Sequence, residues 1–177
     1  AFDDVAAPRV SIVIPTYGKA DYTARCLRSV QQAGARCSFE VLVLEDASGD
    51  PAMTPLRDVR GVRYRENPQN LGFLRSCNRA LALARGDSIW IAEADDLAAG
   101  DFLSTVMRGF ETPGVVLSYC ESAQIDGAGN PLAADYRYYT DEVAPGKWQQ
   151  SYVGSGLAEI EQALFLKNTI LNVSAVV

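Results

Sequence analysis

Hydrophobic and polar positions alternate in register with strands and helices through the first two thirds of the chain. The run "RVSIVIP" (9–15) is continuously apolar and β-branched, the pattern of a strand covered on both faces. Asp21 opens a helix through "YTARCLRSVQQAG", with Tyr22, Cys26 and Val30 on one face and Gly34 as its stop. "FEVLVLED" (39–46) is a second buried strand, "DPAMTPLRD" a short helix or irregular connection, and "GVRYREN" (61–67) a third strand. The spacing predicts a helix over 70–86 with Leu74, Cys77, Leu81 and Ala84 on its inner face, then "SIWIAE" as a fourth strand. A helix from Gly100 to Phe110 and a strand over "GVVLSYC" (114–120) complete the alternation. Such an order predicts an α/β protein: an open, mostly parallel sheet with helices on both faces.

Beyond residue 120 the regularity fades. Asp126-Gly127 and Gly129-Asn130-Pro131 signal a hairpin, "GLAEIEQALFLKN" a helix and "NVSAVV" (172–177) a strand. Ending inside an apolar strand leads us to expect that the sequence is a piece of a longer one. The chain is expected to form a single domain over 1–177, with 9–120 as one half and 121–177 as an incomplete second part.

Composition narrows the chemistry. The 177 residues carry a net charge of −6 and no histidine, which argues against nucleic-acid binding, a His-based triad and a His/Cys zinc site. Cys26, Cys37, Cys77 and Cys120 lack CxxC spacing and read as small apolar residues in a reducing compartment. With no apolar run long enough to span a bilayer, we expect a location in the cytoplasm or at the inner face of the membrane. GxxxxGK[ST], GxGxxG after the first strand and GxSxG are all absent from the sequence.

Three polar stretches follow predicted strands: "PTYGK", "EDASGD" and "EADDL". In open α/β sheets ligands bind beyond the carboxyl ends of the strands. A rim holding Glu45, Asp46, Asp50, Glu93, Asp95 and Asp96 repels a bare phosphate, and favours one only when Mg²⁺ or Mn²⁺ intervenes. Two readings of the last cluster stand: a carboxylate–metal–diphosphate site, or Asp95 and Asp96 capping the helix near Gly100. Tyr17 is either a turn residue or a flat platform for a nucleotide, and Asp46 either a cap or an acceptor for a base imide N–H. Arg75 is a solvated charge or a partner for diphosphate. Arg79 and Arg85 read as surface charges, and Glu159 and Glu161 as an exposed helix face. Tyr136, Tyr138, Tyr139 and Trp148 are packing residues or a sugar-stacking set.

"VSIVIPTYGKADYTARCLRSV", "EVLVLEDASGD" and "NPQNLGFLRSCNRALALARGDSIWIAEADD" together resemble the nucleotide-binding half of family 2 glycosyltransferases, which have the Rossmann-like GT-A fold. "SYCESAQIDGAGN" and "KNTILNVSAVV" are more loosely similar to bacterial members that build surface polysaccharides. The resemblance implies inverting transfer of a sugar from a nucleotide-diphosphate donor (UDP, dTDP or GDP type) to a carbohydrate or lipid-linked glycan acceptor. It implies that Pro15, Thr16 and Tyr17 line the base and ribose pocket, that Glu45 and Asp46 stand for an Asp-Asp pair, and that Asn70, Gly72 and Arg75 run beside the donor. "EADD" matches a DxD-type motif in which Asp95 and Asp96 hold the metal and Glu93 replaces an Asp. The family's base lies after a later strand, so none is assigned within the 177 residues. A non-catalytic donor-binding module and a nucleotidyltransferase remain as alternatives.

Overall fold

β1 (Val10–Thr16) is buried at every position, and β2 (Phe39–Glu45) at every position but its first, because neighbouring strands and helices cover both. They pair in parallel with Val10 opposite Phe39 and Thr16 opposite Glu45. This computed structural model describes residues 1–33 and 37–177; the predicted stop at Gly34 lies outside them. α1 (Ala20–Ala33) joins the two strands and buries Cys26, Leu27 and Val30. α2 (Thr54–Arg57) is a single turn, and β3 (Val62–Glu66) is parallel to β2. α3 (Phe73–Leu83) leads to β4 (Ser88–Ile91), parallel to β1 on its other side. A Cβ at Gly86 would lie 2.5 Å from the Ser11 amide nitrogen, so only glycine lets the chain enter β4 this close to β1.

α4 covers only Phe102–Val106, less than the predicted 100–110, and its Phe102 ring packs 4.6 Å from Trp90. The predicted fifth strand shrinks to β5 (Ser118–Tyr119), and Val116 is exposed. The place beside β4 is taken by the chain's last strand, β8 (Ala175–Val176), which runs antiparallel with Trp90 opposite Val176. The six-stranded sheet has the order β3-β2-β1-β4-β8-β5, mostly parallel as expected.

The described residues form two compact units, Ala1–Ser118 with Ala175–Val177, and Tyr119–Ser174. Within the second unit β6 (Gln124–Ile125) and β7 (Pro131–Ala133) form the predicted hairpin, whose turn is organised by Asp126 accepting the Ala128 and Asn130 amides. α5 (Arg137–Thr140) is one turn. α6 (Gly156–Glu159) passes into a π-helical turn over Ile160–Leu164 where a regular helix was expected.

The inner face of α3 differs from the predicted leucine stripe. Ser76, Cys77 and Ala80 are buried, while Leu74 and Leu81 face outward. Polar anchoring of Ser76 at the end of β3 turns the helix onto its smaller residues.

Arg85, expected as a surface charge, serves a buried carboxylate instead. Glu40 accepts from the Ser11 hydroxyl at 2.6 Å, the Arg85 amide and guanidinium at 2.7 Å each, and Arg63 at 2.6 Å. Burial raises its pKa, but these donors outweigh burial and hold the carboxyl below its ordinary range. This stabilisation is present above the unfolded carboxyl's pKa and is lost as acidification passes the folded one. Glu40→Ala should lower unfolding free energy by about 2–3 kcal/mol, below the usual cost of breaking a buried pair because both arginines reach solvent. Urea denaturation at neutral pH measures it, and a loss under about 0.5 kcal/mol contradicts the assignment.

Candidate functional site

Because β1 to β4 are parallel, the segments leaving their carboxyl ends share one edge of the sheet. The strand order reverses between β1 and β4, the position at which doubly wound sheets open a crevice. Tyr17 leaves β1 there and Glu93 to Asp96 follow β4.

The acidic stretch is a tight turn, closed by the Asp96 amide donating to the Glu93 carbonyl at 3.1 Å. One carboxylate oxygen from each of Glu93, Asp95 and Asp96 lies within 4.8 Å of the others. Glu93 and Asp96 are half-buried and Asp95 is exposed. Burial, then Asp95, then Glu93 push the Asp96 carboxyl up to about 6, all acting in the same direction. The field reaches both flanking helices. Burial, with Asp96 and Asp95 adding, pushes the Cys26 thiol up to about 12, and burial with Glu93 raises Cys77. Ser29 on α1 supports the loop by accepting the Ala98 amide at 3.0 Å. The helix-cap alternative fails, because the residue preceding α4 is Asp101, five positions beyond Asp96. Hard oxygen donors at this spacing, one of them resisting ionisation, suit a divalent cation of the Mg²⁺ or Mn²⁺ kind.

The two acids ending β2 behave differently from this cluster. Glu45 is buried and accepts the Gly18 amide and the Ser48 amide, each at 3.1 Å, tying the loop after β1 to the loop after β2. Lys19 and Ala47 in these loops have φ of 60° and 58°, a left-handed conformation that non-glycine residues adopt rarely. Asp46 is also buried, and accepts the Leu71 amide at 2.8 Å and the Gly72 amide at 2.9 Å. Burial opposes its charge, but the donors Asn67, Leu71, Ser76 and Gly72 prevail and hold the carboxyl below its usual range. Both acids are therefore organisers of loops, whatever else they contact.

The remaining predicted residues divide by exposure. Pro15 and Thr16 are buried, and the Thr16 hydroxyl donates to the Gly18 carbonyl at 2.8 Å. Tyr17 stands exposed, as do Asn70, Gly72 and Arg75. Gly72 has φ 79° and ψ 162°, which side chains disfavour, and a Cβ there would meet nothing within 4 Å.

Sequence reasoning missed Asn67 and misplaced Arg79. Arg79 donates to the Asn67 side-chain oxygen at 2.5 Å, and the Asn67 amide donates to Asp46 at 2.6 Å and to Ser76 at 2.8 Å. The available signal was Ser76 and Arg79 at i, i+3 on α3, able to face one partner. Glu159, expected on an exposed face, accepts from Lys147 at 2.6 Å and Tyr152 at 3.0 Å within the second unit. Trp148 likewise donates to the Tyr119 hydroxyl at 2.8 Å.

The glycosyl transferase family 2 profile matches residues 11–166. The chain is 34% identical over 152 residues to the uncharacterised protein MT1568 of Mycobacterium tuberculosis, covering 83% of this chain and 41% of that one. It is 32% identical over 101 residues to the abequosyltransferase RfbV of Salmonella typhimurium, covering 54% and 30%. Among solved structures it resembles the mannosyltransferase PcManGT of Pyrobaculum calidifontis in complex with GDP-Man and Mn²⁺, with TM-score 0.58, 27% identity and coverage of 68% and 37%. It also shares the fold of S. aureus TarS 1-349, with TM-score 0.60, 21% identity and coverage of 70% and 38%. The chain thus spans less than half the length of each of these proteins.

The raised pKa of Asp96 has a definite sign. Its contribution to the stability of the metal-free protein is largest in acid and is lost as pH rises through about 6. Asp96→Asn should therefore raise the melting temperature of chelator-treated protein most at pH 7, less at pH 5, and hardly at all below the ordinary carboxyl pKa. A difference that does not grow between pH 5 and pH 7 contradicts the assignment.

Proposed function

Because the chain belongs to glycosyl transferase family 2, we propose that it binds a nucleotide-diphosphate sugar at the carboxyl edge of β1–β4 and moves the sugar to an acceptor hydroxyl with inversion. The observation that carries this reading is the gathering of Glu93, Asp95 and Asp96 at the point where strand order reverses. Donors of the UDP, dTDP or GDP type fit it, with a carbohydrate or lipid-linked glycan as acceptor in bacterial polysaccharide or glycoconjugate synthesis. We place the reaction in the cytoplasm or at the inner face of the membrane, where the four free thiols stay reduced. No helix among the described residues is long and apolar enough to cross a membrane.

In this reading residues 9–120 form the donor half. Pro15, Thr16 and Tyr17 bound the base and ribose, and Tyr17 offers its exposed ring as a platform. Glu45 and Asp46 fix the loops around that pocket, with Asp46 also facing the base. Asn70, Gly72 and Arg75 border the diphosphate and sugar, where the bare Gly72 backbone permits close approach. Asp95 and Asp96 would hold Mg²⁺ or Mn²⁺, and the longer Glu93 supports them from behind. A bound cation supplies Lewis-acid stabilisation of the charge that grows on the departing diphosphate. The acceptor hydroxyl gives its proton to a carboxylate on the opposite face of the sugar, a residue we leave unassigned. A second reading, a donor-binding module that needs further chain for transfer, is favoured by the chain's spanning 41% of MT1568.

Nucleotide and metal should stabilise the fold together. A hundredfold excess over Kd of the preferred nucleotide among UDP, dTDP, GDP and CDP, with Mn²⁺, should add roughly 2–3 kcal/mol of stability. Chelator, Asp95→Ala or Asp96→Ala should abolish the effect while the unliganded variants still melt cooperatively. Equal stabilisation in chelator contradicts the site. With active enzyme the product should be free nucleoside diphosphate, whereas pyrophosphate indicates nucleotidyl transfer.

A further inference from the structure

The buried amide of Asn67 has no part in the roles above, yet it joins a cation to the carboxylate that holds the segment beside the donor. Asn67 directly follows β3, its backbone amide donating to the Glu45 carbonyl at 2.8 Å, and it is 3% exposed. A guanidinium only donates, so the Asn67 side-chain oxygen faces Arg79 and its NH₂ group faces Asp46 and Ser76. The orientation of the amide is thereby fixed, and both of its N–H groups are used.

On the far side of Asp46 stand two backbone amides. Leu71 donates to one carboxylate oxygen and Gly72 to the other. They lie at the end of an exposed stretch, Pro68 to Asn70, and immediately before α3. Gly72 leaves the ordinary backbone regions here, and its carbonyl accepts the Ser76 amide to begin the helix. The path runs Arg79, Asn67, Asp46, then the peptide groups of 71 and 72. Every link is a hydrogen bond of 2.9 Å or less.

We propose that Asn67, oriented by Arg79, is a positioning residue for donor binding: its amide sets the Asp46 carboxylate that shapes segment 70–72. This rests on the donor-site reading given above. Removing the amide leaves Asp46 buried with a donor missing, so the carboxylate turns toward water and releases Leu71 and Gly72. Segment 70–72 then has to be ordered by the nucleotide, which weakens binding without removing any contact to it. A purely structural role would lower stability while leaving the folded protein's affinity unchanged.

The test is calorimetric titration with UDP, dTDP, GDP and CDP in the presence of Mn²⁺, well below the melting temperature. Wild type is compared with Asn67→Ala, Arg79→Met and Arg79→Lys. For the nucleotide wild type binds most tightly, Asn67→Ala should raise Kd about tenfold and Arg79→Met about threefold, with Arg79→Lys close to wild type. Amide exchange at Leu71 and Gly72 should quicken in the first two variants. If Asn67→Ala does not fold, Arg79→Met, altered at a half-buried position, carries the comparison. A wild-type protein that binds its nucleotide while Asn67→Ala and Arg79→Met bind it equally well overturns the inference and spares the donor site. A wild-type protein that binds none of the four overturns the donor-site reading and the inference with it.

Discussion

Carboxylates collected at one edge of a parallel sheet repel each other, and each must find donors or a counter-charge. Two of them are answered by the protein itself. Glu45 takes the amides of Gly18 and Ser48, and Asp46 takes those of Leu71 and Gly72 together with the Asn67 side chain. In each case repulsion is converted into loop geometry, because buried charge is tolerated only where donors surround it. The turn after β4 is treated differently. Burial and neighbouring carboxylates make Asp96 harder to ionise, and burial, with the same negative field adding to it, raises the thiols on both flanking helices. The contrast separates acids that shape the loops of this edge from the acidic turn after β4.

That division also accounts for unusual backbone conformations at this edge. Lys19, Ala47 and Gly72 take positive φ in segments pinned by Glu45 or Asp46, where hydrogen bonds hold conformations that isolated residues avoid. The opposite edge has the Glu40 cluster, in which two arginines and a serine satisfy a single carboxylate. Glu40 is compensated by its own donors, whereas the turn after β4 gathers three carboxylates within 4.8 Å of one another.

Much of the fold was legible because burial on both faces leaves a plain mark. The runs ending at Thr16 and Glu45 are apolar almost throughout, and the parallel order of β1 to β4 followed from the helices between them. The acidic turn was legible as a motif, since its three acids fall within four consecutive residues. What escaped depends on tertiary contact. The run 114–120 has strand composition, yet β8 takes its place beside β4, which local sequence cannot report. The leucines of α3 suggested an inner face that Ser76 contradicts by bonding to Asn67. Arg79 and Arg85 look alike as solvated charges until their partners, 12 and 45 residues away, are placed beside them.

The exposed and half-buried acids after β4 are proposed to coordinate a hard cation that also meets a diphosphate. Anomalous diffraction from crystals grown with Mn²⁺ and the preferred nucleoside diphosphate measures this directly. The expected result is a manganese peak bound by Asp95 and Asp96 oxygens at about 2.2 Å and shared with diphosphate oxygens. Nucleotide seated at the strand ends without manganese between it and these side chains would contradict the account.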